Sequence, residues 1–257
     1  MFVRNRQLYS GFKSFFLVIA VFFLLSINSA VYPQTKPTNQ LKLPDLAVHP
    51  LPPTLAQWQA KLEVGDYFAQ IKPSKLGYLI WSQLPIKIYL EPLPRLNELN
   101  IARYRRLADW QAAVQEAIAQ WNIYLPLTYI NQPESADILI FATKLINKPK
   151  INSNTGLYDI PRAQAAQTSY KFYLTANKTV AQRMTIQIDP GKSKQSILAT
   201  TVHELGHALG IWGHSPYPED ALYPAQVPYP QGISARDINT LKKIYQQPTQ
   251  LGWRLNS

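Results

Sequence analysis

The stretch VHELGHALGIWGHS, residues 202–215, decides the fold of this chain and the kind of site it builds. It contains three of the four histidines in the 257 residues: His203, His207 and His214. His203 and His207 are four residues apart, so on a helix they lie on one face, one turn above the other. Two imidazoles in that arrangement can bind one metal ion, and zinc accepts histidine readily. The spacing therefore predicts a metal site.

Glu204 lies beside the first histidine and on a helix points to the side of the two imidazoles. This is the H-E-x-x-H pattern, in which zinc activates a water molecule and the glutamate takes its proton as the water attacks a carbonyl. Gly210 suits the turn that ends a helix, after which the chain can fold back and supply His214. Three neutral nitrogens plus water are typical of an open catalytic zinc site. The alternative is a helix with incidental histidines, because HExxH also arises by chance.

The rest of the chain mixes strand and helix patterns. PIKIYLEP, residues 85–92, alternates apolar and polar side chains as a strand does, whereas residues 102–125 carry apolar side chains at helical spacing. A short helix is predicted at 55–64 and a last helix at 234–247, with Ser234 as its N-cap. Further strands are predicted at LPLTYI, ADILIFAT, QTSYKFYL and RMTIQIDP, and a helix at 191–210. This order predicts one α+β (α/β) domain.

These residues resemble the matrixins, a family of metzincin zinc endopeptidases. The family motif H-E-x-x-H-x-x-G-x-x-H, usually followed by Ser, is matched by HELGHALG and closed by HS. The resemblance covers roughly residues 81–247. It implies a twisted, mostly parallel sheet with an antiparallel edge strand, two long helices and a C-terminal helix. It also implies one catalytic zinc and a protein or peptide substrate, which we expect to bind extended along residues 162–174.

The resemblance is incomplete around the third ligand. His214 comes one residue later than the motif requires, and Gly213 takes the expected ligand position. A loop can absorb an extra residue, so His214 is retained as ligand, with Glu219 or Asp220 as the alternative. The family's methionine turn, A-L-M-Y-P, is reduced to ALYP, in which Tyr223 could contact zinc or substrate, or simply pack beneath the site.

Other matrixin features are not expected. Residues 144–163, where matrixins commonly hold structural ions, contain one carboxylate, Asp159, and no histidine, so structural calcium is not predicted. The chain contains no cysteine, which excludes disulfides, thiolate ligands and a cysteine-switch propeptide.

The N-terminus has the order of a secretory signal. Basic residues precede an apolar run, residues 15–27, which is shorter than the roughly 18 residues that span a bilayer. We predict a signal peptide over 1–30, a Pro-rich linker over 31–53 with His49 exposed in it, and a catalytic domain over 54–257. An uncleaved N-terminal anchor is the alternative, and would be the only contact with a membrane. Either arrangement places the domain outside the cytoplasm.

The net charge is +11, but the sequence contains no cluster of Arg and Lys interleaved with aromatic residues. Nucleic acid is therefore not predicted as a partner. The sequence thus predicts a secreted or extracytoplasmic zinc metalloendopeptidase, with Glu204 as general base. Two alternatives remain open: an inactive metal-binding or adhesive surface module on the same fold, and a hydrolase of cell-wall peptides. The sequence does not indicate an oligomeric state.

Overall fold

The computed structural model describes residues 42–60, 63–145, 150–151, 158–159, 165–225 and 232–255. The chain divides into two units, residues 1–40 and 41–257, and all the described residues belong to the second. The predicted signal or anchor and most of the loop at 144–163 therefore lie outside them. Over the ranges just given, no helix is both long enough and apolar enough to cross a membrane. The predicted domain boundaries stay predictions.

A five-stranded sheet forms one layer of the domain. Its order is β2-β1-β3-β7-β6, and only β6, at one edge, runs antiparallel to its neighbour. A separate antiparallel pair consists of β4 and β5. The strands are β1 Ile86–Leu90, β2 Leu127–Tyr129, β3 Ile138–Ala142, β4 Lys150–Ile151, β5 Tyr158–Asp159, β6 Ala166–Leu174 and β7 Val180–Ile188. The predicted mostly parallel sheet with an antiparallel edge strand is confirmed.

Helices pack beside this sheet, with the helix Lys194–Leu209 in direct contact with it. The α-helices are α1 Pro53–Gln57, α2 Ile101–Asn122, α3 Lys194–Leu209 and α4 Ala235–Tyr245. α3 packs against α2 and against strands β6 and β7. We call α3 the active-site helix, because it carries residues 203–207. The two long helices and the C-terminal helix are as predicted.

Apolar side chains fix how these layers meet. On α2, the buried positions recur at helical spacing, and the Trp121 indole donates to the Val202 carbonyl at 2.8 Å. On β7 every second side chain is buried, so one face of the strand enters the core. Burial of these faces removes apolar surface from water and positions the active-site helix against the edge strand.

Residues outside the active-site helix fix the position of its C-terminal end. Gly210 ends it with φ of 130°, and a Cβ there would lie 2.5 Å from the Leu79 carbonyl oxygen. Trp81 donates its indole N–H to the Ala208 carbonyl at 2.9 Å, and Tyr245 donates its hydroxyl to Leu209 at 3.0 Å. These bonds satisfy carbonyls that a helix end leaves without partners.

Two predictions near the start of the domain are wrong. The first helix ends at Gln57 rather than continuing to residue 64. His49 is not an unconstrained, exposed linker residue: its Nε2 lies 2.8 Å from the Leu251 carbonyl oxygen, and its ring stacks on Trp253 at 4.1 Å. The nearby backbone of Ala47 pairs with Thr249. These partners are some 200 residues away in the chain, so no local pattern indicates them.

Candidate active site

His203 and His207 lie one turn apart on the active-site helix with their Nε2 atoms 3.1 Å apart. Nδ1 of His203 is 2.8 Å from the Ala221 carbonyl oxygen, and Nδ1 of His207 is 2.7 Å from that of Ile211. A carbonyl oxygen can only accept, so each Nδ1 carries the proton and each Nε2 presents a lone pair. Two lone pairs that face each other at this distance repel unless a cation lies between them.

The loop after the active-site helix carries the extra residue before His214. It contacts the earlier segment that contains Gln70 and Lys72. The Trp212 carbonyl accepts from the Lys72 backbone N–H at 3.1 Å. A Cβ on Gly213 would lie 2.4 Å from the Gln70 carbonyl oxygen, so only glycine allows this close approach. The loop thereby accommodates the additional residue and still brings His214 beside His203 and His207.

His214 completes a group of three imidazoles. Its ring lies 5.3 Å from that of His203 and 4.9 Å from that of His207, measured between centroids. One nitrogen from each ring falls in a set whose members are all within 4.8 Å of one another, and among the described residues this is the group that could hold a metal ion. Three imidazole nitrogens on one side of a helix fit a zinc ion that keeps one position open.

Burial keeps these imidazoles neutral. It lowers the pKa of His203 to about 4, with the neighbouring His207 as the second cause, and it lowers the pKa of His207 to about 4. Burial also lowers the pKa of His214. Metal binding requires the neutral ring, so the three side chains are in the ligating state at neutral pH.

Glu204 lies beside the imidazoles and contacts the edge strand. Its Oε2 accepts from the Thr168 hydroxyl at 2.5 Å, and the same hydroxyl lies 3.2 Å from the Glu204 carbonyl oxygen. Burial raises the pKa of the Glu204 carboxyl, whereas the Thr168 hydrogen bond and His203 act in the opposite direction. A partly desolvated carboxylate at this position can act as a general base.

A segment from Ser215 to Leu222, which we call the floor segment, passes beneath the histidines. Its ends meet where the Ser215 N–H donates to the Leu222 carbonyl at 2.9 Å. Leu222 is fully buried, and a Cβ on Gly206 would lie 2.5 Å from its Cδ2. The glycine in HELGH thus lets the Leu222 side chain pack directly against the active-site helix.

Comparison with protein families finds a match for this chain. A family model described as Matrixin, peptidase family M10, matches residues 99–246. The match spans more than half of the chain. The chain belongs to the matrixin family. A search of curated proteins finds no matching sequence. Membership supports a zinc-dependent metalloprotease that acts on proteins or peptides.

A contact accounts for one of the two departures from the matrixin motif. The late third histidine is accommodated because Gly213 approaches Gln70. The reduced methionine turn, ALYP, contains the buried Leu222, and its relation to the family's methionine stays a prediction. Met184 is buried in β7, and Met1 lies outside the described residues.

The alternative ligands Glu219 and Asp220 have other partners. The Asp220 carboxylate is fully buried and is bound by the Ser215 hydroxyl at 2.5 Å and by the Arg236 guanidinium. Glu219 is 65% exposed and lies 3.3 Å from Arg236. Neither belongs to the histidine group.

The fifth predicted residue, Tyr223, follows the floor segment. Its backbone N–H donates to the Asp220 carbonyl at 3.2 Å, and the residue is half-buried. A role for its hydroxyl toward zinc or substrate stays a prediction.

Sequence reasoning missed three groups of this site. They are the Thr168 hydroxyl and the backbone carbonyls of Ile211 and Ala221. A backbone carbonyl leaves no trace in residue type. Thr168 did leave a weak signal, because it is the polar member of the face that it shares with Tyr170 and Phe172 on the edge strand.

Proposed function

We propose that this matrixin is an exported zinc metalloendopeptidase, in which His203, His207 and His214 hold one zinc ion. The observation that carries the proposal is the convergence of three neutral imidazole nitrogens next to the carboxylate of Glu204. When bound, zinc supplies a Lewis acid that lowers the pKa of a water molecule and polarises the scissile carbonyl.

Glu204 acts as the general base and then as the general acid. It takes a proton from the attacking water and delivers that proton to the leaving amine as the peptide C–N bond breaks. Because the Thr168 hydroxyl already binds Oε2, we assign proton transfer to Oε1. Thr168 also fixes the carboxylate relative to the edge strand, along which the substrate would lie.

The edge strand β6 is suited to bind an extended peptide. The Thr175 N–H donates to Thr179, and the Asp189 N–H donates to Ala165, so the odd-numbered residues of β6 direct their backbone groups toward β7. The backbone N–H and C=O of Thr168, Tyr170 and Phe172 therefore point away from β7, to the edge that no strand of the described residues covers. We propose that substrate adds there as a further strand.

Export rests on the signal-like residues 1–30. With cleavage of that segment the enzyme would be secreted, and without cleavage it would be anchored at the membrane by its N-terminus. The inactive surface module, which the late third histidine and the missing methionine suggest, is not favoured. A binding module has no need of Glu204, and the side chain of His214 lies with the other two histidines.

The test is to incubate an unfolded protein with the purified enzyme and to map the products by mass spectrometry. Internal cleavage that stops with a zinc chelator and in Glu204→Ala supports an endopeptidase. Release of peptides from purified cell wall, with unfolded protein left intact, would indicate a wall hydrolase instead. No product from either substrate, with a folded and zinc-loaded protein, would favour the binding module.

A further inference from the structure

Arg236, the second residue of α4, forms a two-pronged ion pair with Asp220. Its Nε lies 3.0 Å from both Asp220 oxygens, and its Nη2 lies 2.8 Å from Oδ1. The Asp220 side chain is fully buried, and that of Arg236 is 21% exposed. The guanidinium also lies over the Tyr217 ring at 4.5 Å. The planar fork of arginine suits this contact, whereas a lysine would supply only one point charge.

The same carboxylate holds the residue that follows His214. Asp220 Oδ2 accepts from the Ser215 hydroxyl at 2.5 Å, and the Ser215 oxygen accepts from the Tyr217 N–H at 3.1 Å. The floor segment is therefore cross-linked on itself at the point where it leaves the third histidine.

The residue after Asp220 holds another imidazole. The Ala221 carbonyl accepts from Nδ1 of His203 at 2.8 Å, and the Ala221 N–H donates to Asp237 at 3.0 Å. Two consecutive residues of α4, Arg236 and Asp237, thus fix two consecutive residues of the floor segment. Displacement of Asp220 would move the Ala221 carbonyl that orients the His203 ring.

We propose that Arg236 is a positioning residue for the metal centre, acting through buried Asp220 on His203 and His214. The proposal rests on the proposed metal ligands. Without Arg236, a buried carboxylate would lose its counter-ion and the floor segment would have to rearrange. The outer groups that orient metal ligands commonly change metal affinity by about 10–100-fold when removed.

The experiment is a titration of the metal-free protein with Co²⁺, followed by its visible absorption, in wild type and in Arg236→Gln, Arg236→Lys and Asp220→Asn. Two control variants each remove one charge, as Asp220→Asn and Arg236→Gln do. Glu219→Gln removes the exposed partner of Arg236, and Lys243→Gln removes a second ion pair of the same helix, to Asp66. Circular dichroism gives the Tm of each metal-free protein.

We expect Arg236→Gln and Asp220→Asn to weaken cobalt binding at least about tenfold and to shift the cobalt bands. Arg236→Lys should recover part of the affinity, and both controls should bind as wild type does. If Arg236→Gln does not fold, the double variant Arg236→Gln/Asp220→Asn removes both charges and should show the same loss of affinity.

The proposal is overturned if these variants bind cobalt within twofold of wild type with unchanged bands, whatever their Tm. A uniform loss of affinity in the two control variants would also overturn it. Failure of the proposed function looks different, because in that case wild type itself would bind no cobalt at the three histidines.

Discussion

Thr168 on the edge strand donates its hydroxyl to the carboxylate of Glu204 on the active-site helix at 2.5 Å. This bond joins the strand that we expect to hold the substrate to the group that we expect to move the proton. Both elements are needed to set the position of Oε1. The rate of peptide hydrolysis should therefore depend on a hydroxyl that is not part of the histidine motif.

Thr168→Val keeps the shape of the side chain and removes the hydroxyl. We expect kcat/KM for a peptide substrate to fall at least about tenfold, because a hydrogen bond to a charged group is lost. Zinc content should stay at the wild-type level, since the histidines are untouched. Thr168→Ser, which retains the hydroxyl, is the matched control and should keep most of the activity. Wild-type kcat/KM in Thr168→Val would refute the role.

Gly213→Ala should disturb the loop that delivers His214. The added Cβ would lie 2.4 Å from the Gln70 carbonyl oxygen, which is backbone and cannot rotate away. We expect a loss of about 1–3 kcal/mol in the free energy of unfolding, measured with urea, and weaker zinc binding. Gly232→Ala serves as the control, because the nearest atom to its Cβ among the described residues is 3.9 Å away. Equal free energies of unfolding and equal zinc binding in the two variants would contradict the close approach of Gly213 to Gln70.

The metal-free protein should lose stability as the pH falls from about 6.5 to about 4. Burial lowers the pKa of His203 and of His207 to about 4, from the ordinary histidine value of about 6.5. In that window the unfolded chain binds more protons than the folded one, so acid favours unfolding. Each of the two histidines should contribute on the order of 3 kcal/mol to the free energy of unfolding at neutral pH.

Urea unfolding in the presence of a chelator, repeated at several pH values, measures this slope. Because carboxylates also titrate near pH 4, the comparison is with His203→Asn/His207→Asn. Between pH 6.5 and 5 the double variant should lose clearly less free energy of unfolding than the wild type does. Parallel curves for the two proteins would show that these imidazoles are not the cause.

Backbone pairing with the edge strand predicts an alternating pattern along a substrate. A set of peptides that each carry one N-methyl group would remove one backbone donor at a time. Only every second residue of a bound strand points its N–H toward its neighbour. We expect kcat/KM to fall at alternate positions on one side of the cleaved bond. A loss that does not alternate would argue against strand addition at Thr168, Tyr170 and Phe172.

Local patterns in the sequence were sufficient to predict most helices and strands of this domain. Alternation identifies β1 and β7, helical spacing identifies α2, and Ser234 is the N-cap of α4, where it forms a capping box with Asp237. HExxH with Gly210 locates the active-site helix and its end. Each of these signals depends on neighbours within a few turns of the chain.

What the sequence did not indicate depends on distant contacts. The bond between Thr168 and Glu204 joins residues 36 apart, and that between His49 and Leu251 joins residues 202 apart. Which carbonyl orients each imidazole depends on how the loops fold back, because every residue offers a carbonyl. The pairing of Arg236 with Asp220 likewise requires the floor segment to meet α4.

The most direct test of the central claim is to measure bound zinc and peptide cleavage together in wild type, Glu204→Gln and His214→Ala. We predict one zinc per chain in wild type and in Glu204→Gln, with cleavage lost only in the latter, because the glutamate moves protons and does not hold the metal. His214→Ala should lose both zinc and cleavage. Full cleavage by Glu204→Gln, or full zinc binding and cleavage by His214→Ala, would contradict the account.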